Sequence, residues 1–147
     1  MPRNGFTLIE LMVVIAVMGL LAGAVILTVG APGGGPQPTA ARFAGRLAAA
    51  RDQAILTGQP ISAWVSPSGY GFDRFRDGHW EAMTDKPFDA ANWAKGTDVG
   101  GAAATSGRAR VRFDSLGMPD QPFEIRVSRA GQAALVRVDA NGDVTME

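Results

Sequence analysis

Few side chains in this sequence are of the types that carry out chemistry, and they form no catalytic set. His79 is the only histidine, and the sequence contains no cysteine. A thiolate metal site, a cysteine nucleophile and a disulfide framework are therefore excluded. His79 follows the turn pair Asp77-Gly78 and precedes Trp80, so we expect it at the edge of a β-strand. The sequence predicts no enzymatic activity, no catalytic residue, no cofactor, no metal site and no small-molecule substrate.

The segment Asp139–Asp143 has the spacing of polar residues that opens a calcium-binding loop. Such a loop needs a glycine at its sixth position, where this sequence has Val144. The pair Asn141-Gly142 is instead typical of a β-hairpin turn, because both residue types tolerate a positive φ. We therefore predict a hairpin here.

Three arginines, Arg108, Arg110 and Arg112, alternate along the chain and would line one face of a strand. Such a row is a weak candidate for binding the phosphates of nucleic acid. No aromatic residue alternates with the arginines, and the chain carries 14 basic and 14 acidic residues, a net charge of zero. A solvated strand face is the favoured interpretation, and nucleic acid is not expected to be a partner.

One acidic side chain, Glu10, lies inside an apolar run. The residues from Phe6 to Val29 are apolar apart from Glu10, Thr7 and Thr28. A charged side chain in the middle of a bilayer costs on the order of 2.5–3.5 kcal/mol on insertion scales. An acid at this position therefore indicates a function.

The apolar run is long enough to cross a membrane. Its 24 residues would form a helix of roughly 36 Å, against a hydrocarbon core of about 30 Å. Arg3 precedes the run and the next basic residue is Arg42, so the positive-inside rule places the first residues in the cytoplasm. The alternative is a secretory signal peptide cut near Ala22–Ala24 or Gly30–Ala31, although the apolar core of such peptides is usually only about 7–15 residues long.

The residues Gly5-Phe6-Thr7-Leu8-Ile9-Glu10-Leu11, followed by the apolar run, resemble the prepilin motif of type IV pilins and type II secretion pseudopilins. This resemblance implies that a prepilin peptidase cuts between Gly5 and Phe6 and that the new terminal Phe6 is N-methylated. It also implies that the helix is retained and that Glu10 pairs with the terminal amine of a neighbouring subunit during assembly. In a medium of low dielectric such a pair is far stronger than in water.

A break in the helical pattern follows the apolar run. Residues 30–38 contain three prolines and four glycines, which cannot continue a helix, so we predict a short flexible linker. A second helix is predicted from Thr39, which can cap it, to about Leu56, with Gly58 as the stop. Its apolar residues recur at spacings of three and four. They are Phe43, Leu47, Ala50 and Ala54.

The rest of the chain predicts short strands joined by turns. We expect an α+β fold in which the second helix packs on an antiparallel β-sheet. Residues 84–107 are weakly patterned, and Gly100–Gly107 is predicted to be a mobile loop. The predicted strands are Ile61–Ser66, Tyr70–Arg76, His79–Met83, Arg108–Phe113, Phe123–Arg129, Ala133–Asp139 and Val144–Met146.

Parts of this second region resemble the minor pseudopilin H of type II secretion systems, the GspH family. The similar segments are Ala49–Ser66, Gly78–Met83 and Phe113–Gly117. The FimT-like minor pilins of type IV pili, which are involved in pilus assembly or DNA uptake, are the close alternative. Both families imply a pilin-like fold.

The resemblance implies a domain order, a location and a function. Residues 1–5 would be a prepilin leader, 6–29 a transmembrane assembly helix, 30–38 a linker and 39–147 a periplasmic head. The chain would be a single-pass inner-membrane protein with a cytoplasmic N-terminus, and a minor structural subunit of a pseudopilus that helps export folded proteins across the outer membrane. The partners implied are other major and minor pseudopilins, the prepilin peptidase and the inner-membrane assembly platform.

Overall fold

The computed structural model of the 147-residue chain describes residues 8–28 and 35–147, with side chains described to Met18 in the first range. These residues form two units: the helix α1 (Leu8–Thr28), and residues 35–147, which we call the head. The predicted cleavage pair Gly5 and Phe6 lies outside the described residues, as do residues 29–34 of the predicted linker. Within the described ranges, no helix reaches the length and apolarity of a membrane span.

The head begins with the helix α2 (Gln37–Thr57), which starts two residues before the predicted cap at Thr39. The N-cap is Pro36, and its carbonyl accepts the first intrahelical hydrogen bond from Ala40 at 2.8 Å. Pro38 lies in the first turn, where the missing N–H costs nothing because that group would have no helical partner. The prediction that Thr39 caps the helix is therefore wrong. The stop at Gly58 is confirmed, since this glycine has φ 63° and ends the helix in the left-handed conformation.

One face of α2 is completely buried, and it is the face that the spacing predicted. The four predicted apolar positions are all buried, together with Ala40 in the first turn. Phe43 is the largest of them. Its ring packs edge-on against Tyr70, with 4.8 Å between the ring centroids, and against Trp93 at 5.5 Å.

Nine strands follow, in two antiparallel sheets. The first sheet has the order β3-β2-β1-β6, and β4 pairs with the start of β2. Its strands are β1 (Ile61–Val65), β2 (Gly69–Arg76), β3 (His79–Ala82), β4 (Ala91–Asn92) and β6 (Ala109–Phe113). The second sheet has the order β5-β7-β8-β9. Its strands are β5 (Thr97–Gly101), β7 (Phe123–Arg129), β8 (Gln132–Val138) and β9 (Val144–Met146).

The seven predicted strands are confirmed, each end to within one residue. The hairpin signals account for this accuracy, because they fix where a strand must stop. Asp77 and Gly78 between β2 and β3 have φ of 50° and 84°, as a type I′ turn requires. The predicted turn at Asn141-Gly142 connects β8 to β9.

The prediction of a mobile loop at Gly100–Gly107 is wrong. Gly100 and Gly101 end strand β5, and the short helix α3 (Ala102–Ser106) follows directly. Strand β5 pairs with β7, which lies far along the sequence, so no local sequence pattern predicts β5. Gly101 has φ 85°, a conformation that glycine adopts without strain and that turns the chain from strand to helix.

Arg51 on α2 connects the helix to two distant turns. Its Nε donates to the carbonyl of Gly117 at 3.3 Å, and its Nη2 donates to the carbonyl of Asn141 at 3.1 Å. Its Nη1 lies 3.3 Å from a carboxylate oxygen of Asp143. One guanidinium thus satisfies two backbone carbonyls, and it holds the β8–β9 turn against the helix.

We expect Phe43→Ala to lower the free energy of unfolding of the head by about 3–5 kcal/mol, because the substitution removes a fully buried ring and leaves a cavity. Leu56→Ala is the matched control: Leu56 lies on the same helix but is 81% exposed, so its loss should change the free energy by less than about 0.5 kcal/mol. Urea unfolding of residues 35–147 measures both. Equal losses in the two variants would contradict this packing.

Candidate functional site

The N-terminal candidate site has one described member, Glu10, in the first turn of α1. The large apolar side chains between Leu8 and Met18 are 44–80% exposed within this chain. A helix that exposes so many apolar side chains needs an apolar environment or a partner surface to cover them. A carboxylate on such a helix favours partners that supply a cation, because burying the carboxylate without one is costly.

The second candidate, the row of three arginines, lies on one face of the first sheet. Arg110 and Arg112 of β6 are opposite Trp64 and Ser62 of β1 in the strand register. Residues directly opposite one another share a face, and this face is turned away from α2, which packs on the side of Tyr70 and Phe72. The three arginines are therefore aligned, as their alternation predicted.

Aromatic side chains from the neighbouring strands accompany the arginines. Trp64 comes from β1, and Phe75 and Trp80, which pair with each other across β2 and β3, have ring centroids 5.3 Å apart. The prediction that this face lacks aromatic residues is wrong, because its aromatic side chains come from strands other than β6. We call this surface the arginine–tryptophan face. It consists of Trp64, Phe75, Trp80, Arg108, Arg110 and Arg112.

Trp64 lies flat between the sheet and Arg108. A Cβ atom on Gly71, the residue opposite Trp64 on β2, would come within 2.5 Å of the indole Cζ2. On the other side, the Arg108 guanidinium carbon lies 4.3 Å from the ring centroid, a cation–π arrangement. Gly71 is thus the position that allows the indole to rest on the backbone.

Two of the arginines have acidic neighbours. Arg110 Nη2 lies 3.6 Å from a carboxylate oxygen of Asp73, and Arg112 Nη1 lies 3.9 Å from one of Asp120. Both distances exceed the range of a hydrogen bond between a guanidinium and a carboxylate. The carboxylate of Asp120 instead accepts a hydrogen bond from the backbone N–H of Arg112 at 2.9 Å. It thus satisfies a backbone donor of the edge strand β6.

The other sequence candidates have local structural roles. His79 begins the edge strand β3 as predicted, is exposed, and has its Nε2 3.0 Å from a carboxylate oxygen of Glu81. Asp139 accepts hydrogen bonds from the backbone N–H groups of Asn141 and Asp143 at 2.8 and 3.0 Å, so its carboxylate stabilises its own turn. Among residues 8–28 and 35–147, no three potential metal ligands lie together.

A small polar cavity of about 170 Å³ beside the start of α2 was not foreseen from the sequence. Arg46 and Tyr70 line it, and burial raises the pKa of Tyr70, while the nearby cations of Arg46 and Arg42 oppose that shift. Arg46 also donates to the carbonyl of Asp89 at 3.0 Å and forms an ion pair with its carboxylate at 3.3 Å. This cluster connects the segment before β4 to α2.

Two family models match the sequence. Residues 39–142 match the model described as type II transport protein GspH, which covers most of the head. Residues 1–26 match the prokaryotic N-terminal methylation motif. Gly5, Phe6 and Glu10 all lie inside that second range.

Among known proteins, the sequence is similar to type II secretion system protein H of Escherichia coli (strain K12). The two are 38% identical over 71 residues, which are 46% of this chain and 42% of that protein. The protein of the same name from Aeromonas hydrophila is 31% identical over 86 residues, 56% of this chain and 47% of that protein. The chain thus matches less than half the length of either relative.

The fold is similar to those of a solved minor pseudopilin and a solved type IV minor pilin. The minor pseudopilin EpsH from the type 2 secretion system of Vibrio cholerae superposes with a TM-score of 0.61 at 21% identity, covering 76% of this chain and 95% of that one. The type IV minor pilin FimU of Pseudomonas aeruginosa gives 0.60 at 14% identity, covering 76% and 87%. These similarities establish a pilin-like α+β fold in which a helix packs on antiparallel sheet.

We expect Gly71→Ala to displace the Trp64 indole, because the new methyl group and the ring cannot occupy the same space. The free energy of unfolding should fall by about 1–3 kcal/mol, and the tryptophan fluorescence of the folded head should shift to longer wavelength. Urea unfolding and emission spectra measure the two effects.

Gly45→Ala on α2 is the control for this substitution. A Cβ there meets no atom within 4 Å, and alanine favours a helix over glycine, so the head should gain about 0.5–1 kcal/mol. An unchanged spectrum and unchanged stability for Gly71→Ala would refute the stacked position of Trp64.

Proposed function

Because the chain belongs to the GspH family of type II transport proteins, we propose that it is a structural minor subunit of a type II secretion pseudopilus. The observation that carries this proposal is the combination of two matches in one chain: a GspH head over residues 39–142 and an N-terminal methylation motif over residues 1–26. The first supports the secretion system, and the second supports assembly as a filament subunit. The export of folded proteins across the outer membrane is the process that such a filament serves.

The mechanism begins with processing. A prepilin peptidase cuts between Gly5 and Phe6, and the new terminal amine of Phe6 is methylated. The apolar segment from Phe6 to Val29 stays on the mature chain, holds it in the inner membrane and leaves the head in the periplasm. Its length and the position of Arg3 support this orientation.

Glu10 then selects the position of the subunit in the filament. Its carboxylate pairs with the terminal amine of a neighbouring subunit, either a major or a minor pseudopilin. In an apolar medium this attraction is strong, whereas an acid inserted without a cation is penalised. The inner-membrane assembly platform would deliver the subunit, and the small residues Gly19, Ala22 and Gly23 would let neighbouring helices approach closely.

A FimT-like minor pilin of type IV pili is the second candidate function. The TM-scores to a secretion pseudopilin and to a type IV minor pilin are almost equal, 0.61 and 0.60, so the fold supports both. The GspH match to the head and two relatives named as secretion system protein H favour secretion. We therefore place the type IV pilus second.

The mature protein is expected to begin at a methylated Phe6, which mass spectrometry of the purified full-length chain measures directly. Gly5→Leu should retain the leader, because a bulky side chain next to the cut keeps the peptidase from the backbone, whereas Asn4→Ala should be processed normally. A mature terminus near Pro32 would indicate a secretory signal peptide and would exclude the proposal.

Glu10→Leu should leave processing at Gly5 intact but reduce incorporation into filaments at least about tenfold, because the pairing charge is lost in an apolar medium. Sheared filaments are probed for the subunit by immunoblotting, and the secreted proteins of the host are measured in the culture medium. Asp52→Asn, which removes an exposed acid from the head, is the control and should assemble normally.

This experiment also separates the two candidate functions. If the chain serves secretion, Glu10→Leu lowers the amount of secreted protein and leaves pilus-dependent motility unchanged. Loss of motility with normal secretion would support the type IV pilus, and normal incorporation of the variant would refute the role of Glu10.

A further inference from the structure

We propose that the arginine–tryptophan face binds an extended acidic segment of a protein partner, with carboxylates at alternate positions on the arginines and an apolar side chain in the groove beside Trp80. This inference does not depend on the proposed function. The structure supports it through four features of the face: available guanidinium donors, their spacing, an adjoining apolar groove and side chains that already lie over the sheet. The low local net charge then favours a protein segment over nucleic acid.

The guanidinium groups of the face have donors to spare. A guanidinium carries five N–H donors, yet within the described part of the chain those of Arg108, Arg110 and Arg112 donate no hydrogen bond. The acidic neighbours of Arg110 and Arg112 are 3.6 and 3.9 Å away, and the guanidinium of Arg108 lies over the ring of Trp64. An incoming carboxylate can therefore form bidentate hydrogen bonds without breaking one that the head already makes.

The spacing of the arginines matches an extended chain. Alternate residues on one face of a strand are roughly 6.7 Å apart. The backbone positions of Arg108, which directly precedes β6, and of Arg110 and Arg112 on β6 therefore repeat at this distance. A second extended segment laid along β6 presents its own alternate side chains at the same repeat. Acids at positions i, i+2 and i+4 of such a segment meet the three arginines in register.

An apolar groove lies at the Arg112 end of this row. It has a volume of about 320 Å³. Its lining consists of the charged residues Arg112, Asp114 and Asp120 and of Pro60, Trp80, Phe113, Met118 and Pro119. The guanidinium carbon of Arg112 is 5.8 Å from the ring centroid of Trp80, so the last acid site and the groove are adjacent. Tryptophan and arginine are the residue types that dominate the energetics of protein interfaces.

The side chains of the face already lie in the position that binding requires. Ser62, between Arg112 and Asp73 in the register, is completely buried although it points to this outer face. The long side chains around it must therefore lie over the sheet instead of extending into solvent. Binding to such a surface costs less side-chain entropy than binding to mobile arginines.

A protein segment fits this face better than nucleic acid does. Asp73 and Asp120 offset two of the three arginines, which leaves one net positive charge among these five side chains. Affinity for nucleic acid, in contrast, grows with each phosphate neutralised. Trp64 is covered by Arg108 on one side and by the sheet on the other. Its ring is therefore unavailable for stacking on a base, as single-strand binding requires.

The test uses synthetic peptides and the head, which carries its own core and can be studied as residues 35–147. The first peptide has three glutamates at alternate positions and a leucine after the last one, and the second has the same composition with the glutamates adjacent. Fluorescence anisotropy at low and high salt should show at least about tenfold tighter binding of the first peptide at low salt, as expected for one charged pairing gained. Equal affinities, or no binding of either peptide at about 1 mM, would overturn the proposal.

Variants identify the contacts. Arg108→Gln and Arg110→Gln should each weaken binding of the alternating peptide about tenfold, whereas Arg126→Gln, on an exposed position of β7 in the other sheet, should change it less than about twofold. Trp80→Ala should lower the affinity for the peptide that carries the leucine. It should leave the affinity for an otherwise identical peptide without leucine unchanged. Arg110→Lys keeps the charge and should bind with intermediate affinity, which distinguishes lost hydrogen bonds from misfolding.

A single-stranded oligonucleotide with the same net charge as the peptide is the competing probe. It should bind more weakly than the alternating peptide. Tighter binding of the oligonucleotide that is lost in Arg108→Gln would overturn the proposal in favour of a nucleic-acid surface.

Discussion

The packing of α2 against the first sheet determines which side chains of the head are left to meet other molecules. Side chains of a strand alternate between two faces, so burying Ile61 and Ala63 of β1 under the helix sends Ser62 and Trp64 to the other face. Antiparallel pairing carries the same division to β2, β3 and β6. The arginine–tryptophan face is therefore a consequence of the core, and it could be altered as a whole only by shifting the strand register.

The sequence predicts helices and strand ends best where these features depend on neighbouring residues alone. A period of three and four residues identifies the buried face of α2, and turn pairs such as Asp77-Gly78 mark the ends of strands to within one residue. The division into two sheets depends instead on pairings between distant segments, such as Val99 with Val127. Local patterns contain no information about such pairings, and for this reason the sequence predicts a loop where the structure has the end of β5 and α3.

The two candidate sites differ in the same way. The N-terminal motif from Gly5 to Leu11 is contiguous, so its residue types and order can be recognised directly. The arginine–tryptophan face combines Trp64, Trp80 and the arginines from three strands, and reading β6 alone indicated a plain solvated row. Knowing that Trp64 lies beside Arg110 required the register. Nothing in the sequence indicates that Gly71, which has no Cβ atom, leaves the space that the Trp64 indole occupies.

Similar folds in a secretion pseudopilin and a type IV minor pilin show that one scaffold is compatible with proteins of two different systems. What distinguishes proteins that share this scaffold must then lie in side chains that the scaffold does not need for stability. Several arginines of the head do not qualify, since Arg46, Arg51 and Arg137 are engaged with acids of the same chain. The guanidinium of Arg108 lies over Trp64. Within the described part of the chain it forms no ion pair with a carboxylate, so it is available to a partner. A partner that offers a carboxylate there gains a contact without breaking a hydrogen bond of the head, so recognition can vary while the fold stays constant.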